Sequence, residues 1–349
     1  NYAPTNWIKM KRYQITIKDI AEKLNISPST VSRALKDHPD INPKTRKTVK
    51  EIAKQYNYIP NRIAQSLLQN KSYIIGVIVP EIVHHFFSSV ISGIENVAHE
   101  NGFNVMLCQS KESYEMELKN VETLLSSHID GMLISITKET KDFTHLENLQ
   151  EMGIPIAFFD RIAEEIDCDR IIVDDFGGGY KATEHLINQG CKEIAHLYSP
   201  LDLLIGRNRY NGYIKAMEDN NMPVYDEYLI FCDTYEKAIT KTKKLIELPN
   251  PPDGIFCGND ETAIGAMKAI KINGLKIPKD IAVIGFTNSY ISTISDPELS
   301  TVDQKGYELG QKAVDTIIQR IAEQETIPKN PTTQILDTEI IIRESSKKI

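Results

Sequence analysis

One short stretch near the N-terminus combines small polar side chains with an arginine at helical spacing. We predict a helix from Pro28 to Leu35 that buries Val31, Ala34 and Leu35 and turns its polar residues outward. The outward side chains are Ser29, Thr30, Ser32 and Arg33. Hydroxyl groups and guanidinium forks hydrogen-bond phosphates and the edges of bases, so this face is a candidate nucleic-acid contact.

A second set of polar side chains follows apolar, strand-like runs in the rest of the chain. These candidates are Asp160, Arg161, Arg207, Asn259 and Gln304. Because ligands of parallel sheets bind at the carboxyl ends of the strands, we expect these residues to lie at one site. Their carboxylate, amide and guanidinium groups suit the hydroxyls of a sugar. Two simpler interpretations stay open: Asp160 could cap a turn, and Asp260 could cap a helix over 261–273.

The N-terminal candidates need a small helical scaffold, and the sequence contains the signals for one. A first helix is predicted over 17–24, with Thr16 at the start of a capping box. Ser27 is placed to cap the second helix, which has proline at its first position. A third helix, over about 43–56, is rich in basic residues such as Lys47 that suit phosphates. Two short helices joined by a three-residue turn predict a helix-turn-helix head.

The charge distribution separates this head from the rest of the chain. The protein has 349 residues and a formal net charge of −8. Between Lys9 and Lys71 there are 14 basic and 5 acidic residues, whereas the remainder has 26 basic and 43 acidic residues. A basic head on an acidic body indicates a protein that meets phosphate with one part only.

Length and composition restrict the class of protein. The chain is too long for one ordinary core, and 41% hydrophobic with 25% charged residues is typical of folded domains. No apolar run is long enough for a membrane helix and no signal-peptide pattern is present, so we expect a cytoplasmic protein without membrane contact. The five cysteines are widely scattered, which argues against a disulfide framework and a zinc site. We expect no metal and no cofactor. The run over 177–179 is three glycines without a phosphate-loop motif, and it is predicted to begin a helix.

The head carries a longer and more specific signature. The run ITIKDIAEKLNISPSTVSRALKDHPDINPKTRKTVKEIAKQYNYIPNRIAQSL resembles the head of the lactose-repressor (LacI/GalR) family along its whole length. The matching motifs are Thr30-Val31-Ser32-Arg33, Thr45-Arg46 and Asn57-Tyr58-Ile59-Pro60-Asn61. The resemblance implies binding of double-stranded, palindromic operator DNA. The head residues expected to contact it are Thr16, Ser27, Ser29, Thr30, Ser32, Arg33 and Lys47.

The segment after the third helix is predicted to be a hinge. Pro60 ends the helix, because the residue before a proline is driven away from helical geometry. The stretch over 61–67 could form only two turns, which is too short to be stable alone. In the family this segment becomes a helix only on operator DNA, and a leucine from each subunit enters the minor groove. The resemblance therefore implies DNA contacts by Asn61, Arg62 and Leu67.

Beyond the hinge, strand-like runs alternate with helical stretches, which predicts doubly wound α/β halves. Their order resembles the periplasmic-binding-protein type I fold, in which two Rossmann-like lobes enclose a cleft. In that fold the chain crosses between the lobes three times, here near residues 172, 302 and 333. The expected limits are a disordered arm over 1–12, a head over 13–59, a hinge over 60–71 and an effector-binding body over 72–349. One lobe is expected over 72–172 and 303–332, and the other over 173–302 and 333–349.

The resemblance also implies positions for a bound effector. The matching residues are Phe86, Phe87, Asp160, Arg207, Asn259 and Gln304, with Arg161 and Asn288 completing the candidate set. Phe86 and Phe87 could instead be core residues. Many relatives have an acidic residue where this chain has Thr287-Asn288, and an Asn-Pro pair where it has His84-His85. The site is then less negative, which favours an anionic ligand such as a uronic acid, with a neutral saccharide as an equal alternative.

Taken with the charge pattern, the motifs predict a sequence-specific transcriptional regulator, expected to be a repressor, whose operator affinity depends on a small effector in the cleft. Two half-sites require two heads, so a twofold homodimer is expected. The alternatives are a sugar-binding receptor and an α/β enzyme fused to a DNA-binding head. No catalytic constellation is visible in the sequence, so no enzymatic activity is expected. The sequence leaves open the operator, the sign of the effector response and a protein co-regulator.

Overall fold

The computed structural model describes residues 15–58, 71–323, 328 and 330–347. The chain forms two compact units that divide between Ser72 and Tyr73, here called the head and the body. The predicted arm over 1–12 and residues 60–70 of the predicted hinge lie outside the described residues.

Three helices make up the described part of the head. They are Ile17–Leu24 (α1), Pro28–Leu35 (α2) and Pro43–Gln55 (α3). The predicted bounds of α1 and α2 are confirmed, and α3 ends one residue earlier than predicted, with Tyr56 as its C-cap. Thr16 and Asp19 form the complete capping box that the sequence predicts. The three helices share one small apolar core, which contains Ile20, Ala21, Val31, Ala34, Val49 and Ala53.

The first lobe of the body contains a six-stranded parallel sheet. Its strands are Ile74–Val79 (β1), Asn104–Gln109 (β2), Gly131–Ile134 (β3), Ile156–Phe159 (β4), Asp169–Val173 (β5) and Thr333–Leu336 (β11), in the order β11-β5-β4-β3-β1-β2. The helices of this lobe are His85–Glu100 (α4), Tyr114–Ser126 (α5), Thr144–Glu151 (α6) and Gly306–Glu323 (α12). Helices α4 and α12 lie close together because Gly310 has no side chain: a Cβ there would overlap the carbonyl oxygen of Val90.

The second lobe contains a four-stranded parallel sheet and a two-stranded antiparallel ribbon. The sheet strands are Ile194–Tyr198 (β6), Leu229–Phe231 (β7), Gly254–Cys257 (β8) and Ala282–Ile284 (β9), in the order β7-β6-β8-β9. The ribbon pairs Thr301–Asp303 (β10) with Glu339–Ile341 (β12). The helices are Asp175–Asn188 (α7), Leu204–Asp219 (α8), Tyr235–Ile246 (α9), Asp260–Ile272 (α10) and Tyr290–Ile294 (α11). The doubly wound architecture that the sequence predicts is confirmed, with most strands buried on both faces.

One predicted lobe limit is wrong. The sequence placed the third crossing near residue 333 and assigned 333–349 to the second lobe. In the structure Thr333–Leu336 pairs in parallel with β5, with Thr333 opposite Arg170, so this strand belongs to the first lobe. Asp169 holds the start of the strand, because its carboxylate accepts hydrogen bonds from the backbone N–H and the hydroxyl of Thr332, each at 2.8 Å. The chain therefore crosses to the second lobe after Leu336.

Two further properties concern the described residues as a whole. Every helix among them is too short or too polar to cross a lipid bilayer. The cysteines are free thiols, and all except Cys108 are buried.

Candidate functional site

The first turn of α2 brings three hydroxyl groups together at the surface of the head. The Ser27 hydroxyl accepts a hydrogen bond from the backbone N–H of Thr30 at 3.1 Å. It also lies 2.7 Å from the hydroxyl of Ser29 and 2.8 Å from that of Thr30. A helix N-terminus carries a partial positive charge and favours phosphate. This end of α2 can therefore both attract an anion and hydrogen-bond it.

The remaining described head candidates lie on α2, on α3 and at the N-cap of α1. Arg33 on α2 and Lys47 on α3 are exposed, and Ser32 is half-buried. The Thr16 hydroxyl is engaged in its capping box, where it donates to the Asp19 carboxylate at 2.7 Å. Asn61, Arg62 and Leu67 lie outside the described residues.

In the body, Asp160 lies at the carboxyl end of β4 in a left-handed backbone conformation, with φ of 61°. The side chain is only 4% exposed. Burial raises the pKa of Asp160 to about 7, and Asp175 adds to the rise, while Arg161 and Arg209 oppose it. A carboxyl group of this kind exchanges its proton near neutral pH.

Arg161, the next residue, is held away from Asp160 by another carboxylate. Its Nη1 donates to both carboxylate oxygens of Glu112, at 2.8 Å each. Its Nε lies 3.9 Å from Asp160, which is too long for a hydrogen bond. The guanidinium also lies 5.9 Å from the ring centre of Phe87. Arg161 is therefore fixed beside Asp160, within ion-pair distance of its carboxylate but not hydrogen-bonded to it.

A buried arginine that the sequence did not single out lies in the second lobe. Arg209 on α8 donates through Nε to Asp175 at 2.7 Å and through Nη1 to the carbonyl of Gly258 at 2.8 Å. Its guanidinium lies 3.9 Å from the ring centre of Phe286. Burial raises the pKa of Asp175, and Arg209 opposes this rise. The guanidinium of Arg209 thus favours the ionised form of the buried Asp175 carboxyl.

Arg207 has a different environment from Arg209, although only one residue separates them. Residues two apart on a helix are about 200° apart around its axis, so the two side chains leave α8 in different directions. The Arg207 side chain is 49% exposed and lies 3.5 Å from Glu164 of the first lobe. This contact joins the two lobes. Asp175 and Arg209 of the second lobe also lie close enough to Asp160 of the first lobe for their charges to affect its pKa, so the strand ends of the two lobes lie opposite each other. We call the region between them the interlobe site.

The aromatic candidates Phe86 and Phe87 belong to the core of the first lobe. They are 8% and 4% exposed, and their ring centres lie 5.3 Å apart in an edge-to-face arrangement. The alternative that both are core residues is therefore confirmed. Gln304, at the start of the path from β10 to α12, is also buried.

Asn259 caps α10. The alternative interpretation, that Asp260 caps this helix, is therefore wrong. The Asn259 side chain accepts a hydrogen bond from the backbone N–H of Thr262 at 2.8 Å. Asp260 is instead buried and accepts three hydrogen bonds: from the backbone and hydroxyl of Ser289 and from the hydroxyl of Thr301. This carboxylate therefore joins α10 to β10 and to the loop that contains Asn288.

Both ends of the Asn288 amide are bound within the protein. Its Nδ2 donates to Asp303 at 3.1 Å, and its Oδ1 accepts from Arg343 at 2.8 Å. Arg343 also donates to the carbonyl of Leu299 and the hydroxyl of Ser292. Asn288 therefore links the loop after β9 to the end of β10 and to the segment after β12.

Two family models match the chain. Residues 16–61 match the model described as bacterial regulatory proteins of the lacI family. Residues 72–341 match the model of periplasmic binding proteins and the sugar binding domain of the LacI family. The chain belongs to the LacI family. It is a transcriptional regulator with a helix-turn-helix head and a ligand-binding body.

Individual relatives of this LacI-family chain cover between 79% and 96% of its length. The transcriptional repressor PurR of Actinobacillus pleuropneumoniae is 31% identical over 335 residues, which are 96% of this chain and 99% of the relative. The lac repressor dimer bound to operator and the anti-inducer ONPF has 27% identity and a TM-score of 0.85, covering 95% of this chain and 99% of that one. A LacI-family regulator of Enterococcus faecium with bound ribose has 28% identity and a TM-score of 0.69, covering 79% and 99%. The named relatives are regulators and not enzymes.

A local signal for Arg209 was present in the regulator's sequence. The glycines over 177–179 lie in the first turns of α7, as predicted. A Cβ at Gly179 would overlap the backbone carbonyl of Arg209, so this glycine lets α7 and α8 come close enough for Asp175 to reach Arg209. Glu112 and Arg343 had no such signal, because their partners are 49 and 55 residues away in the chain.

Proposed function

We propose that this LacI-family regulator binds an uncharged saccharide at the interlobe site, and that the saccharide sets its affinity for operator DNA. The observation that carries this proposal is the geometry of Asp160 and Arg161. The buried Nε of Arg161 has no hydrogen-bond partner among the residues that the structure describes, and it lies 3.9 Å from the Asp160 carboxylate. A hydroxyl can accept from one group and donate to the other at once. A ligand hydroxyl would therefore satisfy both.

The charges around this pair favour a neutral ligand over a uronic acid. Each of the three arginines is already within 3.5 Å of a carboxylate: Arg161 of Glu112, Arg209 of Asp175 and Arg207 of Glu164. Asp160 adds a fourth acidic group, and burial raises its pKa to about 7. A ligand carboxylate would compete for these arginines and could not donate a hydrogen bond to Asp160. The chemistry of the site thus supports a sugar without an acid group.

Among the three arginines, Arg207 is the one that a ligand can recruit at the lowest cost in free energy. An exposed ion pair contributes about 0.2–1 kcal/mol, whereas breaking a buried pair costs about 3–5 kcal/mol. Arg207 is half-exposed, while Arg209 is 6% exposed and Arg161 is 14% exposed. We therefore assign Arg207 and Asp160 to the ligand, one from each lobe.

A ligand screen tests the class of effector. Thermal unfolding of the full chain would be followed with neutral saccharides and with the uronic acid that corresponds to each of them. We expect a rise in Tm with one or more neutral saccharides and a smaller or absent rise with the matching acids. A uronic acid that raises Tm where its neutral parent does not would contradict the proposed ligand class.

The Arg207→Ala variant tests the assigned residue once a saccharide has been found. Operator affinity without saccharide should stay at the wild-type value, and the response to saccharide should be lost. The control is Lys215→Ala, because Lys215 is an exposed cation on the same helix whose partner, Asp219, is also on α8. A wild-type response in Arg207→Ala would show that the ligand binds elsewhere. Loss of operator binding without saccharide would show that Arg207 is structural.

On the DNA side, we propose that a twofold homodimer in the cytoplasm reads a palindromic operator. The exposed Arg33 and the hydroxyls of Ser29 and Thr30 would enter the major groove, and Lys47 would contact phosphate. The dimeric operator complex of the similar lac repressor supports this arrangement. Light scattering should give the mass of a dimer, and a monomer or tetramer would contradict it.

Two variants of the head separate base contacts from phosphate contacts. Arg33→Ala should weaken binding to a selected palindromic duplex by about 1–3 kcal/mol and leave binding to random DNA nearly unchanged. Lys47→Ala should weaken both and reduce the salt dependence of binding. Equal losses on both DNAs for Arg33→Ala would remove Arg33 from the set that reads bases.

A further inference from the structure

His84 lies between two carboxylates that belong to different lobes. It is the residue before α4, and its side chain does not cap that helix. Its Nε2 lies 2.7 Å from Glu81 in the same loop of the first lobe. Its Nδ1 lies 2.9 Å from Glu261, in the first turn of α10 in the second lobe. One imidazole therefore contacts both lobes.

This geometry requires a particular protonation state. A neutral imidazole has one donor nitrogen and one acceptor nitrogen, whereas ionised carboxylates only accept hydrogen bonds. Only the imidazolium ion can donate to Glu81 and Glu261 at once. If the proton leaves, one nitrogen lone pair faces a carboxylate oxygen, and that hydrogen bond is lost.

The electrostatic surroundings agree with the geometry. The hydrogen bond to Glu261 raises the pKa of His84 more than partial burial lowers it, and the charges of Glu261 and Glu81 add to the rise. The same bond lowers the pKa of Glu261. Among the described residues, these two carboxylates are the charged groups that face the ring, one from its own loop and one from α10.

The two halves of the contact come after the carboxyl ends of parallel strands, β1 in the first lobe and β8 in the second. His84 comes two residues before Phe86, and Glu261 comes two residues after Asn259. The covalent crossings between the lobes are elsewhere, after β5, β10 and β11. His84 therefore supplies a non-covalent connection between the lobes that is separate from these crossings.

We propose that His84 is a proton-dependent bridge between the two lobes, which holds Glu81 and Glu261 together as the imidazolium and releases Glu261 when it loses its proton. Because the pKa is higher in the bridged state, the bridge is complete below the ordinary histidine pKa and is lost as the pH rises through the raised value. This inference concerns the body without ligand, so it does not depend on the proposed saccharide.

The first test is an NMR titration of the full chain with 13C-labelled histidine over about pH 5 to 9. The His84→Gln variant identifies the His84 signal by its absence. We expect this signal to titrate above the midpoint of histidine in an unstructured peptide, and to move down toward that midpoint in Glu261→Gln. The control is His85→Gln, because His85 is the exposed neighbouring imidazole, and it should leave the His84 midpoint unchanged.

The second test is a double-mutant cycle on Tm with His84→Gln, Glu261→Gln and the double variant. At about pH 6 we expect the double variant to lose no more Tm than the more damaging single variant, because the singles remove the same bond. At about pH 9 the losses should be additive. A His84 midpoint at or below that of an unstructured peptide would overturn the inference. The inference would also be overturned if the Tm losses were additive at both pH values, or if they departed from additivity by the same amount at both.

Discussion

Replacing Arg209 by methionine removes the buried charge that stabilises the centre of the second lobe. The variant loses the 2.7 Å bond to Asp175, the 2.8 Å bond to the Gly258 carbonyl and the contact with the Phe286 ring. Methionine keeps a flexible apolar side chain, so the change is mainly one of charge and hydrogen bonding. Asp175, itself 3% exposed, is left without its partner.

The size of the loss follows from this burial. Breaking a buried ion pair by removing one partner costs about 3–5 kcal/mol. With an unfolding entropy of about 2.1 cal/mol/K per residue, a body of about 280 residues should lose about 5–9 °C in Tm. Without Arg209, the chain folds more easily when the Asp175 carboxyl is protonated, because a neutral group is cheaper to bury than an unpaired charge. The deficit relative to wild type should therefore be smallest in acid and grow as the pH rises above the raised pKa of Asp175 in the folded wild type.

Thermal unfolding of the full chain by circular dichroism measures this loss, and Arg207→Met is the matched control. It is the same substitution two residues away on α8, at a half-exposed side chain that lies 3.5 Å from its partner. An exposed pair contributes about 0.2–1 kcal/mol, which corresponds to less than about 2 °C here. Adding Asp175→Asn to Arg209→Met should recover part of the loss, because it removes the unpaired charge.

Two results would refute this reasoning. One is a Tm for Arg209→Met that stays within about 2 °C of the wild type, which would place the pair in a solvated environment. The other is an equal loss for Arg207→Met and Arg209→Met, which would mean that burial does not decide the effect. A double variant less stable than Arg209→Met alone would show that Asp175 stabilises the lobe through other contacts.

Three other variants test the head, a buried histidine and the C-terminal arginine. Thr16→Ala should lower the free energy of unfolding of the head by about 1 kcal/mol, because it removes the capping box, whereas Thr16→Ser keeps the capping hydroxyl. The same melting temperature for the two variants would contradict this. Burial lowers the pKa of His196 to about 4, so wild type should lose stability from about pH 6.5 down to 4, because only the unfolded chain takes up the proton. His196→Gln should flatten that dependence in urea unfolding, and an unchanged slope would disprove it. Arg343→Lys should speed amide hydrogen exchange around Asn288, because lysine lacks the planar guanidinium that bonds both Asn288 and the Leu299 carbonyl. Exchange at the wild-type rate would argue that this contact does not hold the loop.

Local sequence signals were sufficient for the head. A cap residue and its partner three positions on define where α1 and α2 begin, and helical spacing of apolar residues defines their buried faces. The buried parallel strands were equally visible as apolar runs. The short strands β7, β10, β11 and β12 were not, since each has only three or four residues and lies at a sheet edge or in the ribbon. Apart from β10, their residues are mostly half-buried or exposed. That is also why the third crossing was misplaced.

The sequence alone thus determined the family, the two-part organisation and the polar residues that follow the strands. Only the tertiary structure decided which of those residues are paired and with what. Spacing could not distinguish the half-exposed Arg207 from the buried Arg209, because burial depends on how closely α7 packs against α8. Nor could it join His84 to Glu261 across 177 residues. Such contacts depend on the distance between two lobes, which no pattern within a few residues of either partner encodes.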